Sequence, residues 1–329
     1  MPTERTETIL AKKTKRPRYG AILLPYSVSF ENMFKAARHA EDLGFDSIWI
    51  SDHLQRGTTP THECWTTISA LSACTSKIAI GSLATCNSFR NPALLAKMVS
   101  TVSQVSQGRT DITIGIGYDK SEHEAYGYDF PPFKERVERL SETLEILRSL
   151  WTRKRSNFQG KYWKIENAEC EPKPFGRVPR IWVAGRNPLV LKAASKSRAY
   201  GINILPYSGV LEERRMSSYD ELESIAKQID GLKLKKSMYC GDGGLVIGKN
   251  ASDYEARLGK VAAMQNLSTK ELREKLNNLS MIHGTAKQCE STLGRLASLG
   301  FEELMMIFPG WQKGDFSNMD LFASEFIEN

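Results

Sequence analysis

The sequence predicts an α/β protein built as a (β/α)8 TIM barrel, with insertions after strands four, six and seven. Short apolar runs of strand length alternate with segments of helical apolar spacing about eight times along the chain. Right-handed crossovers between parallel strands leave two solutions, a doubly wound sheet or a closed barrel, and a count near eight favours the barrel. No linker rich in Pro, Gly or Ser divides the chain. Residues 18–329 therefore read as one domain, with excursions at 152–178 and 207–280, behind a flexible basic tail at 1–17.

Strand one is Tyr19–Pro25, an apolar run stopped by Pro25. The first helix, Glu31–Leu43, carries Met33, Phe34, Ala37 and Ala40 on one stripe and ends at Gly44. Phe45–Ile50 is strand two, Glu63–Cys74 a helix, and Lys77–Leu83 strand three. Asn91–Ser106 is a long helix with Pro92 in its first turn and Gly108 past its end. Asp111–Gly117 is strand four. Pro131–Trp151 places Leu140, Leu144 and Leu147 on one helical face, and Thr152–Val178, broken by Gly160, Pro172 and Pro174, reads as a hairpin-like excursion. Strands five and six are Arg180–Ala184 and Gly201–Leu205, with the helix Leu189–Arg198 between them. After an irregular stretch with a helix near Tyr219–Asp230, strand seven lies within Ser237–Gly248. Helices then fill Ser252–Met264, Thr269–Ser280 and Thr285–Leu299, strand eight is Glu302–Phe308, and a helix at Met319–Ile327 closes the chain.

Composition excludes several classes. No apolar run approaches the roughly 20 residues that cross a bilayer, and Lys12, Lys13, Lys15, Arg16 and Arg18 precede only a short strand, not the apolar core of a secretory signal. The six cysteines form no CxxC pair, which suits reduced thiols in the cytoplasm, and the five histidines form no HExxH or His-rich metal cluster. The net charge of +7 suits an anionic small molecule as well as many other partners. No basic stripe with interleaved aromatics points to nucleic acid.

In such a barrel the chemistry sits at the C-terminal strand ends. Those ends supply small residues, hydroxyls and amides around one acid–imidazole couple, Asp52-His53. A carboxylate and an imidazole at one strand end can shuttle a proton near neutral pH; an N-cap beside a surface histidine is the competing account. Gly115-Ile116-Gly117 lets backbone approach a ligand but lacks the third glycine of a dinucleotide fingerprint. Ala184-Gly185-Arg186-Asn187 leads into Pro188, so helix N–H groups and a guanidinium could meet a phosphate there. Gly284-Thr285 reads as plain helix capping. Arg214, Arg215, Lys233 and Lys235 read as a solvated face in preference to an anion-steering patch.

Taken in order, AARHAEDLGFDSIWISDHL (36–54), NPALLAKMVSTVSQVSQGR (91–109), ITIGIG (112–117), AYGYDFPPFKERVERLSETLEILRSLW (125–151), FQGKYW (158–163), IWVAG (181–185) and GTAKQ (284–288) resemble the bacterial luciferase-like superfamily over nearly the whole chain. Ser51-Asp52-His53 resembles its branch that uses the deazaflavin coenzyme F420. The resemblance implies hydride transfer between C5 of that ring and a small organic substrate. It further implies His53 as proton donor or acceptor and Asp52 as the group orienting cofactor or water. It places a non-prolyl cis peptide at Ser82-Leu83, backing the ring as a bulge, with Thr85 on the ring or ribityl chain. Gly117 and Tyr118 join the cofactor site, and Ala184, Gly185, Arg186 and Asn187 take the phosphate end. The loop Tyr118–Glu124 lacks the Glu-Ala-x-Asn pattern of the sugar-phosphate dehydrogenases, with Lys120 where those enzymes place an acid. His123 fits the cleft and the surface equally. Relatives commonly dimerise, and helices near 63–75 and 91–106 are the faces expected to do so. An FMN-dependent monooxygenase using reduced flavin and dioxygen, and a non-catalytic flavin-binding member, are the alternative readings.

Overall fold

The computed structural model describes residues 16–208 and 215–328. Eight parallel strands close into a barrel: β1 (Arg18–Ile22), β2 (Ser47–Ile50), β3 (Ala79–Cys86), β4 (Thr110–Gly115), β5 (Ile181–Ala184), β6 (Gly201–Ile204), β7 (Lys235–Tyr239) and β8 (Glu303–Ile307). They pair in chain order, and β8 closes on β1 with Ile22 opposite Ile307.

Strand side chains alternate between two apolar layers, as the two-residue period of a strand requires. Ile22, Trp49, Trp182, Met305 and Ile307 point into the barrel. Their neighbours Ala21, Ile48, Ile50, Val183, Leu304 and Met306 point outward against the helices. Two tryptophans inside one barrel need space on the facing strands, and glycines provide it. A Cβ on Gly81 would lie 2.6 Å from the Trp49 ring, and one on Gly201 2.4 Å from the Trp182 ring.

The helices are α1 (Phe30–Asp42), α2 (Cys64–Cys74), α3 (Pro92–Val105), α4 (Lys120–Ala125), α5 (Phe133–Thr152), α6 (Pro188–Lys196), α7 (Tyr219–Gly231), α8 (Ala251–Met264), α9 (Thr269–Leu279), α10 (Ala286–Ser298) and α11 (Ser317–Phe326). Ten of these fall within a few residues of the expected segments. The exception is α4, which lies in a stretch read as loop. The excursion after α5 is an antiparallel hairpin of Ser156–Gln159 with Lys164–Ala168. Its turn is held by Glu142, whose carboxylate accepts the N–H groups of Lys161, Tyr162 and Trp163 at 2.7, 3.1 and 3.0 Å.

The N-terminal pole of the barrel is closed by buried charge. Asp111 accepts from Arg177 and Arg180, and Glu303 accepts from Trp49 and, more closely, from Ser47, with Arg18 at 3.4 Å. Burial raises the Glu303 carboxyl above its ordinary value, against the pull of Arg18. Lys235 pairs with Glu302 at this same pole, and Arg215 pairs with Glu221 on α7, which fits the solvated-face reading of both. Arg214 and residues 1–15 of the expected tail lie outside the described residues. Arg16 pairs with Asp46. Thr285 caps α10 in a reciprocal box with Gln288, as expected of plain capping. Among the described residues no helix is long and apolar enough to cross a membrane.

Candidate active site

The C-terminal ends of the strands surround a cleft of about 650 Å³. One wall is a shelf of very small residues: Ala84 within β3, Gly115 ending β4, Ala184 ending β5 and Gly185 just after it. A Cβ on Gly115 would touch only the Ala84 and Ala184 methyl groups, at 3.7 and 3.5 Å. Ile22, Leu24, Leu83 and Ile307 make an apolar floor, so a planar ring could lie there dry. The shelf follows an irregularity in β3, whose pairing with β4 shifts between Ser82 and Thr85. The non-prolyl cis peptide is present, but between Leu83 and Ala84, one residue beyond the expected Ser82-Leu83.

In the same cleft stands His53, just past the end of β2, the strand that pairs with β3. Its Nδ1 lies 3.0 Å from Glu122 Oε2, and its Nε2 lies 3.2 Å from the Tyr118 hydroxyl. Glu122 comes from α4. Its other oxygen accepts the backbone N–H groups of Leu54 and Gln55, so it ties α4 to the end of β2. Burial opposes its charge, but the bonds from His53 and these two amides outweigh that and hold its carboxyl below the usual range. An ionised Glu122 can only accept. His53 Nδ1 therefore carries the proton towards it, and in the neutral ring Nε2 is the acceptor. Tyr118 then donates to Nε2 and itself accepts from Arg56 at 2.9 Å.

Glu122 reaches His53 because Gly117 turns the chain sharply after β4. Gly117 has φ +78°, and a Cβ there would lie 2.9 Å from Cys86 Sγ and 3.0 Å from the His123 ring. Asp119 then caps α4, accepting the Glu122 N–H at 3.2 Å. His123 is buried, not on the surface; its Nδ1 donates to the Asp119 carbonyl and its Nε2 lies 3.6 Å from Cys86 Sγ. Burial pushes the Cys86 thiol up to about 12, so it stays protonated.

Other expected site residues direct their side chains into the wall of the barrel. Asp52 lines the cleft, but its carboxylate is turned inward: it takes both arms of Arg90, at 2.6 and 2.9 Å, and the Cys86 N–H at 2.8 Å. It anchors the end of β3 and leaves little capacity to orient a cofactor or a water. Arg90 also meets Glu63, the N-cap of α2. Ser82 lies outside the cleft, with its hydroxyl donating to the Thr113 carbonyl. Thr85 lines the cleft, with its hydroxyl donating to Ser82 and accepting from Trp65. Arg186 and Asn187 are not in the lining either. Arg186 holds the Tyr207 carbonyl and the Ser217 hydroxyl, and Asn187 caps α6. Leu83, Gly117, Tyr118, Ala184 and Gly185 do line the cleft with His53. Glu122, Arg90 and Arg56 were absent from the expected set. The one local signal for Glu122 is Asp119-Lys-Ser-Glu122, an N-cap pattern.

Residues 9–229 match the family model described as luciferase-like monooxygenase. The chain belongs to that family. Among luciferase-like proteins of curated function it is similar to an F420-dependent glucose-6-phosphate dehydrogenase of Amycolatopsis mediterranei, 33% identical over 172 residues, covering 50% of this chain and 51% of the relative. The chain thus spans about half the length of that relative. Among solved structures, an F420-dependent secondary alcohol dehydrogenase in complex with an F420-acetone adduct superposes with TM-score 0.72 at 19% identity, covering 95% of this chain and 98% of the other. A monooxygenase from Streptomyces bottropensis gives TM-score 0.74 at 17% identity, covering 94% and 99%. Both share the luciferase-like barrel fold.

Proposed function

We propose that the protein is a coenzyme F420-dependent oxidoreductase, exchanging a hydride between the deazaflavin and a small organic substrate. The observation that carries this reading is the presence in one cleft of the Ala84–Gly115–Ala184–Gly185 shelf and the His53–Glu122 couple. The small residues of the shelf leave room for a planar ring, and a side chain on Gly115 would project into that room beside the Ala84 and Ala184 methyl groups. F420 relatives named for dehydrogenation support the choice of coenzyme. When bound, the coenzyme supplies the hydride acceptor or donor at C5 of its ring.

The chain's own residues do the rest. Leu83 and Ala84 would back the ring, and Ile22, Leu24 and Ile307 would keep its underside dry. Glu122 holds the imidazole in the tautomer that leaves Nε2 able to take a proton, and stabilises the imidazolium once it has done so. Asp52, through Arg90 and the Cys86 amide, would position the shelf instead of touching the substrate.

The thermal shift with each cofactor tests the reading. F420 should raise the melting temperature and FMN should not; stabilisation by FMN alone would favour a flavin monooxygenase. We further propose a cytoplasmic homodimer. The six free thiols suit a reducing compartment. For the dimer face, α2 carries no charged residue and α3 carries only Lys97, which bonds to the Glu171 carbonyl, while Leu94 and Val105 on α3 are solvent-exposed.

A further inference from the structure

We infer that Tyr118 is a catalytic residue, the hydroxyl through which the His53–Glu122 couple exchanges its proton with the substrate. The inference rests on the F420 reading for its hydride and goes beyond it in assigning the acid–base group that meets the substrate. His53 lines the cleft with little of its surface: its side chain is 12% exposed, and its Nε2 is taken by Tyr118. Tyr118 lines the cleft and is 46% exposed. The four groups Glu122, His53, Tyr118 and Arg56 bond in series, and the donor directions allow one polarity throughout. Glu122 accepts from His53 Nδ1, His53 Nε2 accepts from the Tyr118 hydroxyl, and the Tyr118 oxygen accepts from Arg56. The ring of Tyr118 meets the His53 ring edge-on with centroids 5.6 Å apart, which fixes the hydroxyl at the imidazole.

In the oxidative direction the substrate C–H bond breaks and its electron pair leaves as hydride to the oxidised deazaflavin. The substrate O–H proton passes to Tyr118 Oη as the tyrosine's own proton passes to His53 Nε2. The substrate alcohol becomes a carbonyl compound, Tyr118 ends neutral, and the proton rests on an imidazolium paired with Glu122. Reduction runs both transfers backwards. Arg56 is a positioning residue that stabilises negative charge as it develops on Tyr118 Oη.

The test compares wild type with Tyr118→Phe, a change at a half-exposed ring that keeps the packing. In the cofactor-free protein, 15N NMR of the neutral histidine ring should show the His53 Nε2 resonance moving towards that of a free acceptor nitrogen in the variant; an unchanged resonance overturns the chain of bonds. With glucose 6-phosphate or 2-propanol as the alcohol, kcat of the variant should fall about 100-fold with KM within threefold. Rates in H2O/D2O mixtures should curve for wild type, with two protons in flight, and become linear for the variant. A kcat within threefold of wild type overturns the relay. Failure of F420 to bind wild type, read separately by coenzyme fluorescence, would instead count against the cofactor reading, since the NMR result needs no coenzyme.

Discussion

In the proposed mechanism His53 acts through residues that are distant in sequence. Glu122 is the partner that fixes its tautomer, so Glu122→Gln should lower kcat about 100-fold. The same substitution tests the acid limb of stability. The folded state holds Glu122 below its ordinary value, so its contribution is present above about pH 4.5 and is lost as pH falls through the depressed value. Melting curves from pH 7 to pH 3 should lose that part of their slope in the variant. Asp52 makes the opposite prediction from a catalytic acid. Asp52→Ala leaves the Arg90 guanidinium, 8% exposed, without its bidentate partner. Chemical denaturation should show a loss of about 3–5 kcal/mol, in the range seen when one member of a buried pair is removed. A variant that kept its stability and lost only turnover would restore the role expected from sequence.

At the level of elements, strand and helix positions were legible because each carries its own signal. FDSIWI alternates between the two apolar layers, and Asn91-Pro92 opens α3 while Gly108 lies past its end. Side-chain direction was not legible. The backbone of Ser82, Asp52 and Thr85 is where sequence places it, but each hydroxyl or carboxylate bonds back into the wall: Ser82 to β4, Thr85 to Ser82 and to Trp65 on α2, and Asp52 to Arg90. Such choices depend on partners tens of residues away, which no local pattern encodes. α4 is a six-residue helix, too short for an apolar stripe, and only its Asp119 cap announces it. Sequence also encodes the glycines inside the barrel without revealing what they face. Gly81→Ala would press a methyl group on the Trp49 ring and the Asp111 carbonyl, both at 2.6 Å. It should cost about 1–3 kcal/mol by overpacking, measured as a lower urea midpoint at unchanged slope.

The whole molecule divides its buried charge by pole. The N-terminal end is sealed by Asp111 and Glu303 with their arginines, and the C-terminal end holds the ionised Glu122 beside an open cleft. Conserving the barrel while varying the rim is how one fold serves many reactions, and the rim residues carry the chemistry proposed for this chain. If α2 and α3 form the face between two copies, Leu94→Glu should convert the dimer to monomer in sedimentation velocity with the melting transition of the monomer retained. A wild-type protein that sediments as a monomer would remove that proposal without touching the site.

The central claim is that the small-residue shelf at the rim receives the deazaflavin. Gly115→Leu tests it directly, because the leucine Cβ has room beside Ala84 and Ala184 while the rest of the side chain would occupy the shelf. Titration of F420 fluorescence with wild type should saturate. The same titration with Gly115→Leu should show affinity at least tenfold weaker, with an unchanged circular dichroism spectrum. Equal affinity in the two proteins would contradict the account.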